Sequence, residues 1–229
     1  MPADPWSTPT SYETSASAEA TFLAKVYRWM AGGLALTGLF AYAVVTSPGL
    51  QRVILGNPIV FFGLLIGELV MVVAFSRVVQ RATFGTAAAM FLAYCALSGL
   101  TFSVIFLAYT RESIASTFFI AGGTFAAMSA YGTLTKKDLT GWGQFLMMGL
   151  IGIVIALVVN IFLRSDALGF VLSCAGVVVF TGLTAYDAQR IKGYAGAGDE
   201  RLALHGALQL YLDFVNLFLM LLRLFGRRR

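Results

Sequence analysis

The sequence predicts an all-α integral membrane protein with seven transmembrane helices. Three observations carry that prediction. Of 229 residues, 59% are hydrophobic and only 12% charged, where a soluble domain carries roughly a quarter charged residues. The apolar residues fall in seven runs, each near or beyond the ~18 residues that read as a membrane-spanning helix. The connectors are short polar strings such as "SPGLQR", "TRES", "TKKDLTGW" and "RSDA", which leave no room for a soluble domain.

Taken in order, the runs cover residues 26–46, 53–75, 84–109, 113–134, 143–163, 167–190 and 203–224. Before them stands "MPADPWSTPTSYETSASAEA", with three of the five prolines, no basic n-region and no apolar core. That composition fits a disordered tail over residues 1–20 rather than a signal peptide, with a transmembrane domain over 21–229. Small residues at helix-packing spacing, as in Gly63 and Gly67, allow close helix approach and carry no activity. The two cysteines, Cys95 and Cys174, lie within apolar runs and read as structural thiols.

Lys and Arg placement sets the expected orientation. With the N-terminus cytoplasmic, the inner segments hold Lys25, Arg28, Arg77, Arg81, Lys136, Lys137, Arg190, Lys192 and Arg201, and the outer loops hold Arg52, Arg111 and Arg164. Nine against three favours that orientation. The tail "RLFGRRR" opposes it if the last run crosses fully. The basic residues flank apolar runs, so the net charge of +5 points to a lipid surface and not to nucleic acid.

Of eleven acidic residues, three fall inside apolar runs: Glu68, Asp187 and Asp213. A charged side chain at a helix centre costs ~2.5–3.5 kcal/mol on insertion scales, so such residues face a protein interior or water and need a partner. The last run has the sharpest pattern. His205, Gln209, Asp213 and Asn216 are spaced 4, 4 and 3, and Arg223 extends the same stripe. A stripe of this kind cannot face lipid; the bland alternative is a helix lying in the membrane interface. Asp187 stands near the end of the sixth run, in "TAYDAQRIK", where Arg190 three residues on offers a simple ion pair. Asp213 is the other candidate partner. Glu68 lies mid-run, with Arg223 as its expected partner.

One histidine and no His/Cys cluster argue against a metal cofactor. No nucleophile–base pair, P-loop or dinucleotide fingerprint is present, so an enzyme is not expected. An intramembrane aspartyl protease would rest on the single "YD" alone.

"TGLTAYDAQRIK", followed by "LQLYLDFVNLFLMLLRLFG" and preceded by the acidic "GEL" site of the second run, resembles the Bax-inhibitor family, with a bacterial-type member in view. The resemblance implies two three-helix layers around a central C-terminal helix. It implies a pH-sensitive calcium leak in which Asp187 and Asp213 form a paired proton sensor and a tentative Ca²⁺ site. Glu68 and Arg223 match the family's supporting ionic residues, and Arg77 or Arg81 its latch. Bacterial members are also linked to membrane-protease regulation.

The chemistry is coherent with these residues. Two carboxylates in one low-dielectric site cannot easily both ionise, so they titrate as a unit. Ca²⁺ takes several oxygen ligands, carboxylates among them. The expected function is a proton-gated Ca²⁺ leak in a bacterial inner membrane, with lipid, Ca²⁺ and protons as its partners. The alternative is a non-transporting regulator that binds other membrane proteins such as a protease.

Overall fold

A computed structural model describes residues 11–197 and 199–229, with side chains from residue 17 onward. The chain forms α1 (Ser11–Thr46), α2 (Pro48–Ile54), α3 (Pro58–Val78), α4 (Phe84–Ala108), α5 (Arg111–Leu134), α6 (Thr140–Leu163), α7 (Asp166–Lys192) and α8 (Glu200–Phe225). A single 3-10 turn, Ala195–Ala197, precedes α8. All but α2 are long and apolar enough to cross a membrane.

The helix starts are written in short polar residues. Ser47, Asn57, Thr83, Thr110, Ser165 and Asp199 each accept a first-turn backbone N–H, which satisfies donors that would otherwise be orphaned. Ser47-Pro48 and Asn57-Pro58 place proline in the first helical turn. These two starts correct the expected second run. Residues 48–54 form the separate short helix α2, and the second span begins at Pro58, five residues later than expected.

The expected tail over 1–20 overlaps the first helix. Helix α1 begins at Ser11, and residues 1–10 lie outside the described residues. The Ala-rich stretch 16–20 has good helix propensity, and Glu19 is held by Lys192 Nζ at 3.3 Å.

Helices α1, α3 and α4 form one layer, and α5, α6 and α7 form the other. Helix α8 runs between them, touching α1, α4, α5 and α7. Its burial follows from composition: Leu204, Leu208, Tyr211, Leu217 and Met220 all lie in the common core. Exposed apolar residues such as Phe119, Leu134 and Phe162 lie on the outer faces, where a bilayer would meet them.

Glycine sets the closest approaches. A Cβ on Gly99 of α4 would lie 2.5 Å from the Thr37 carbonyl oxygen of α1. A Cβ on Gly132 of α5 would collide with the Ala185 backbone of α7. Gly132→Ala should therefore push α5 off α7. Overpacking of this kind costs typically 1–3 kcal/mol. The check is a lower midpoint in thermal denaturation of the purified protein, while Gly122→Ala, at a position with open space, should leave it unchanged.

The two ends of the bundle differ in charge. At the α1-start end, three ion pairs form: Lys25–Glu200 at 2.6 Å, Lys192–Glu19 at 3.3 Å and Arg201–Asp199 at 2.8 Å. Arg201 Nη1 also donates to the Gln80 and Ala82 carbonyls, each at 3.0 Å, and so ties the α3–α4 turn to the start of α8. At the opposite end α8 crosses the full bundle, and its tail is fixed by backbone bonds. Thr110 N–H donates to the Arg227 carbonyl at 3.0 Å, and Arg229 N–H to the Ala108 carbonyl at 3.0 Å. The tail arginines thus join Arg52, Arg111 and Arg164, and the Lys/Arg balance between the ends becomes nine against seven.

The hydrogen bond from Arg201 holds the Asp199 carboxyl below the ordinary carboxylate range. A group with a depressed native pKa adds stability above its unfolded value and loses it as pH falls through the native one. The Arg201 tie should therefore persist at neutral and mildly acidic pH and fail only below about pH 4. Amide exchange across residues 79–83 should rise there. In Asp199→Asn it should already be fast at neutral pH.

Candidate functional site

The candidate site begins with the register of α7 against α8. Gly206 packs on Ile191, leaving its missing Cβ only 2.9 Å from Ile191 Cγ2, and Gly176 packs likewise on Met220. In this antiparallel register Ile191 is level with Gly206, so Asp187 is level with about residue 210. Asp213 stands one turn further along, a step of about 4.5 Å that two side chains can span. Helix α8 starts below the end of α7, which removes the depth difference that helix lengths alone imply.

The carboxyl groups of Asp187 and Asp213 accordingly come close enough to act on each other. Both are buried, at 8% and 5% relative exposure. Arg190 is near enough to act on the charge of Asp187 but forms no ion pair with it within 4 Å. The simple Asp187–Arg190 pair is thus not what the carboxylate relies on.

The α8 stripe continues from the pair toward the α1-start end. Asp213 Oδ2, Gln209 Oε1 and His205 Nδ1 are buried atoms without a hydrogen-bond partner among the described residues. They lie on successive turns of one helix face. The His205 ring stacks on Phe75 of α3 at 6.5 Å and 10°. Asn216 instead closes on its own helix, donating from Nδ2 to the Leu212 carbonyl at 2.8 Å.

Other expected members lie elsewhere. Glu68 is not paired with Arg223; it accepts from Thr101 Oγ1 of α4 at 2.5 Å. Arg223 is exposed at the far end of α8, beyond reach of the middle of α3. The physical reason is that α3 packs against α4 and not against the last turns of α8. Arg77 and Arg81 are exposed and form no ion pair among the described residues, so the arginine tie at that end belongs to Arg201.

Sequence reasoning missed two supports of the site. Tyr211 is fully buried and shares a 2.7 Å hydrogen bond with Thr37, whose hydroxyl also donates to the Cys95 carbonyl at 2.9 Å. This links α8 to α1 and α4 one turn from the pair. Gln189, two residues beyond Asp187, accepts from Leu139 N–H at 2.9 Å and donates to the Lys137 carbonyl at 2.8 Å. It replaces the side-chain cap that α6 lacks. The placement of Gln189 inside "YDAQRIK" was its only sequence signal.

Among the described residues no group of three or more His, Cys, Asp or Glu is placed to hold a metal ion. The pair offers four carboxylate oxygens, with Gln209 Oε1 one turn away. That is fewer than the 6–8 oxygens of a full Ca²⁺ shell.

These features define a seven-helix membrane protein with a buried carboxyl pair between its last two helices. The chain belongs to the Bax-inhibitor family: the family model described as "Inhibitor of apoptosis-promoting Bax1" matches residues 19–229. It is 46% identical to the Inner membrane protein YbhL of Escherichia coli (strain K12), over 91% of this chain and 92% of that one. It is 45% identical to an uncharacterized protein of Borreliella burgdorferi over 91% and 92% of the two chains. It is 40% identical to one of Deinococcus radiodurans over 91% of each.

Gln189→Leu should release the α5–α6 turn. Both backbone partners of the amide lose their bond, at about 1–3 kcal/mol for a buried group left unpaired. Faster amide exchange at Leu139 in the variant, with α8 protection unchanged, is the expected outcome.

Proposed function

We propose that the protein is a pH-sensitive, calcium-permeable leak in a bacterial inner membrane, gated by Asp187 and Asp213, with its N-terminus in the cytoplasm. One observation carries this reading: two buried carboxyls from facing helices share one site, with no cation in ion-pair range among the described residues. A proton held between them joins α7 to α8. Its loss leaves two anions facing each other, so the helices separate or a cation takes the proton's place. The pair and Gln209 Oε1 supply part of a Ca²⁺ shell and water the remainder, which suits a passing ion better than a resident one. His205 and Gln209 mark a polar route from the pair toward the α1-start end. The family membership supports the same reading, and the inner-membrane relative supports the location.

Reconstitution in Ca²⁺-loaded liposomes tests it. Wild-type protein should leak without any partner and with a rate that changes with pH. Asp213→Asn should flatten that pH profile. Absence of leak at every pH would favour the alternative, a regulator that binds other membrane proteins.

A further inference from the structure

A polar cavity lies at the end of the bundle away from His205 and Gln209. It has a volume of about 670 Å³ and sits where α6 ends, α7 begins and the α8 tail turns. Arg164, Arg223 and Arg228 line it, with Asp166 as the single acidic residue and Leu157 and Phe170 as an apolar wall. Three guanidiniums against one carboxylate leave a formal charge of +2. None of the three guanidinium groups makes a hydrogen bond or ion pair within the protein, among the described residues. At the other end Lys25, Lys192 and Arg201 are each in an ion pair.

The backbone at Arg164 supplies an independent observation. Its φ of 51° makes it the one non-glycine residue with positive φ among those described. It follows the last turn of α6 in a left-handed conformation, where glycine is the usual choice because it has no Cβ to strain. An arginine held there keeps a strained backbone in exchange for a side chain that faces the cavity, a pattern that points to function. The neighbouring tail is also fixed, since Arg227 N–H donates to Ser113 Oγ at 2.8 Å and the tail bridges to Tyr109. Arg228 is thereby presented to the cavity.

The seven basic residues at this end (Arg52, Arg111, Arg164, Arg223, Arg227, Arg228 and Arg229) are all arginine, while the four lysines lie at the other end. Arginine is the residue suited to bidentate phosphate binding. The apolar wall opens toward lipid, since Phe170 is 62% exposed. Basic pockets between transmembrane helices at the bilayer edge suit anionic headgroups. From these observations we infer that Arg164, Arg223 and Arg228 form a binding site for the phosphate of an anionic phospholipid, whose acyl chains lie along Phe170.

The test uses delipidated full-length protein in detergent. Native mass spectrometry would follow binding of phosphatidylglycerol and phosphatidylcholine, and thermal denaturation would follow the effect of inorganic phosphate. Phosphatidylglycerol should bind more tightly than phosphatidylcholine. Arg164→Gly and Arg223→Gln should each weaken phosphatidylglycerol binding by about ten-fold. Arg164→Gly removes the left-handed strain, so its lipid-free melting midpoint should hold or rise, which separates a lost contact from a damaged fold. Stabilisation by inorganic phosphate that both variants abolish would support the same site with a free anion as its source. Equal binding of the two lipids, or variants that bind phosphatidylglycerol as the wild type does, would overturn the inference.

Discussion

The contact between α7 and α8 is the constraint on which the rest of the structure depends. Each helix brings one carboxyl into a region where a lone charge is costly, and the two carboxyls face each other there. That requires a register exact to within a turn. Gly206 against Ile191 and Gly176 against Met220 set it at two heights, so the two aspartates have little freedom to slide apart. The remaining helices wrap this pair, with α8 touching α1, α4, α5 and α7. Tyr211 ties α8 to α1 and α4, while Gln189 ties α7 to the α5–α6 turn.

Charge is sorted along the bundle axis. At the α1-start end, Lys25, Lys192 and Arg201 are each matched to a carboxylate, and those pairs connect α1, α7 and α8. Exposed pairs of this kind contribute little stability singly. Their use here is positional, since they fix where α8 begins, and that start sets the depth of Asp213. The other end carries arginines with few acids, so its guanidiniums are left for partners outside the protein. A bundle with internal ion pairs at one end and unpaired arginines beside lipid at the other has an inherent asymmetry of anchoring.

The fold was legible because its signals are strong and local. The seven apolar runs needed no tertiary information. The break at 55–57 is masked by the apolar residues on both sides of it, although Asn57-Pro58 carries a helix-start signal. The α8 stripe and the Asp187–Asp213 pairing followed from spacing and family resemblance together. What could not be read were contacts between distant positions of like chemistry. Glu68 has many polar residues as candidate partners, and nothing in sequence ranks Thr101 above Arg223. The register that brings the aspartates within a turn of each other depends on a seven-residue connector and on where α8 starts, which the helix period does not encode.

A structural lock and a gate place different demands on a buried carboxylate. A lock is best built with a cation in bidentate contact and every oxygen satisfied, because an unpaired buried acceptor destabilises the folded state. Arginine is available for that purpose, since Arg190 is close to Asp187. The chain leaves Arg190 exposed instead, and leaves Asp213 Oδ2 and Gln209 Oε1 without partners. On the proposed reading, two acids facing each other hold together through a shared proton, so the strength of the contact is tied to proton supply. A bistable contact of this kind shifts a helix pair by as much as its two protonation states differ in energy, about 1.4 kcal/mol for each pKa unit. The incomplete satisfaction of the stripe is therefore better matched to a contact that opens than to one that only holds.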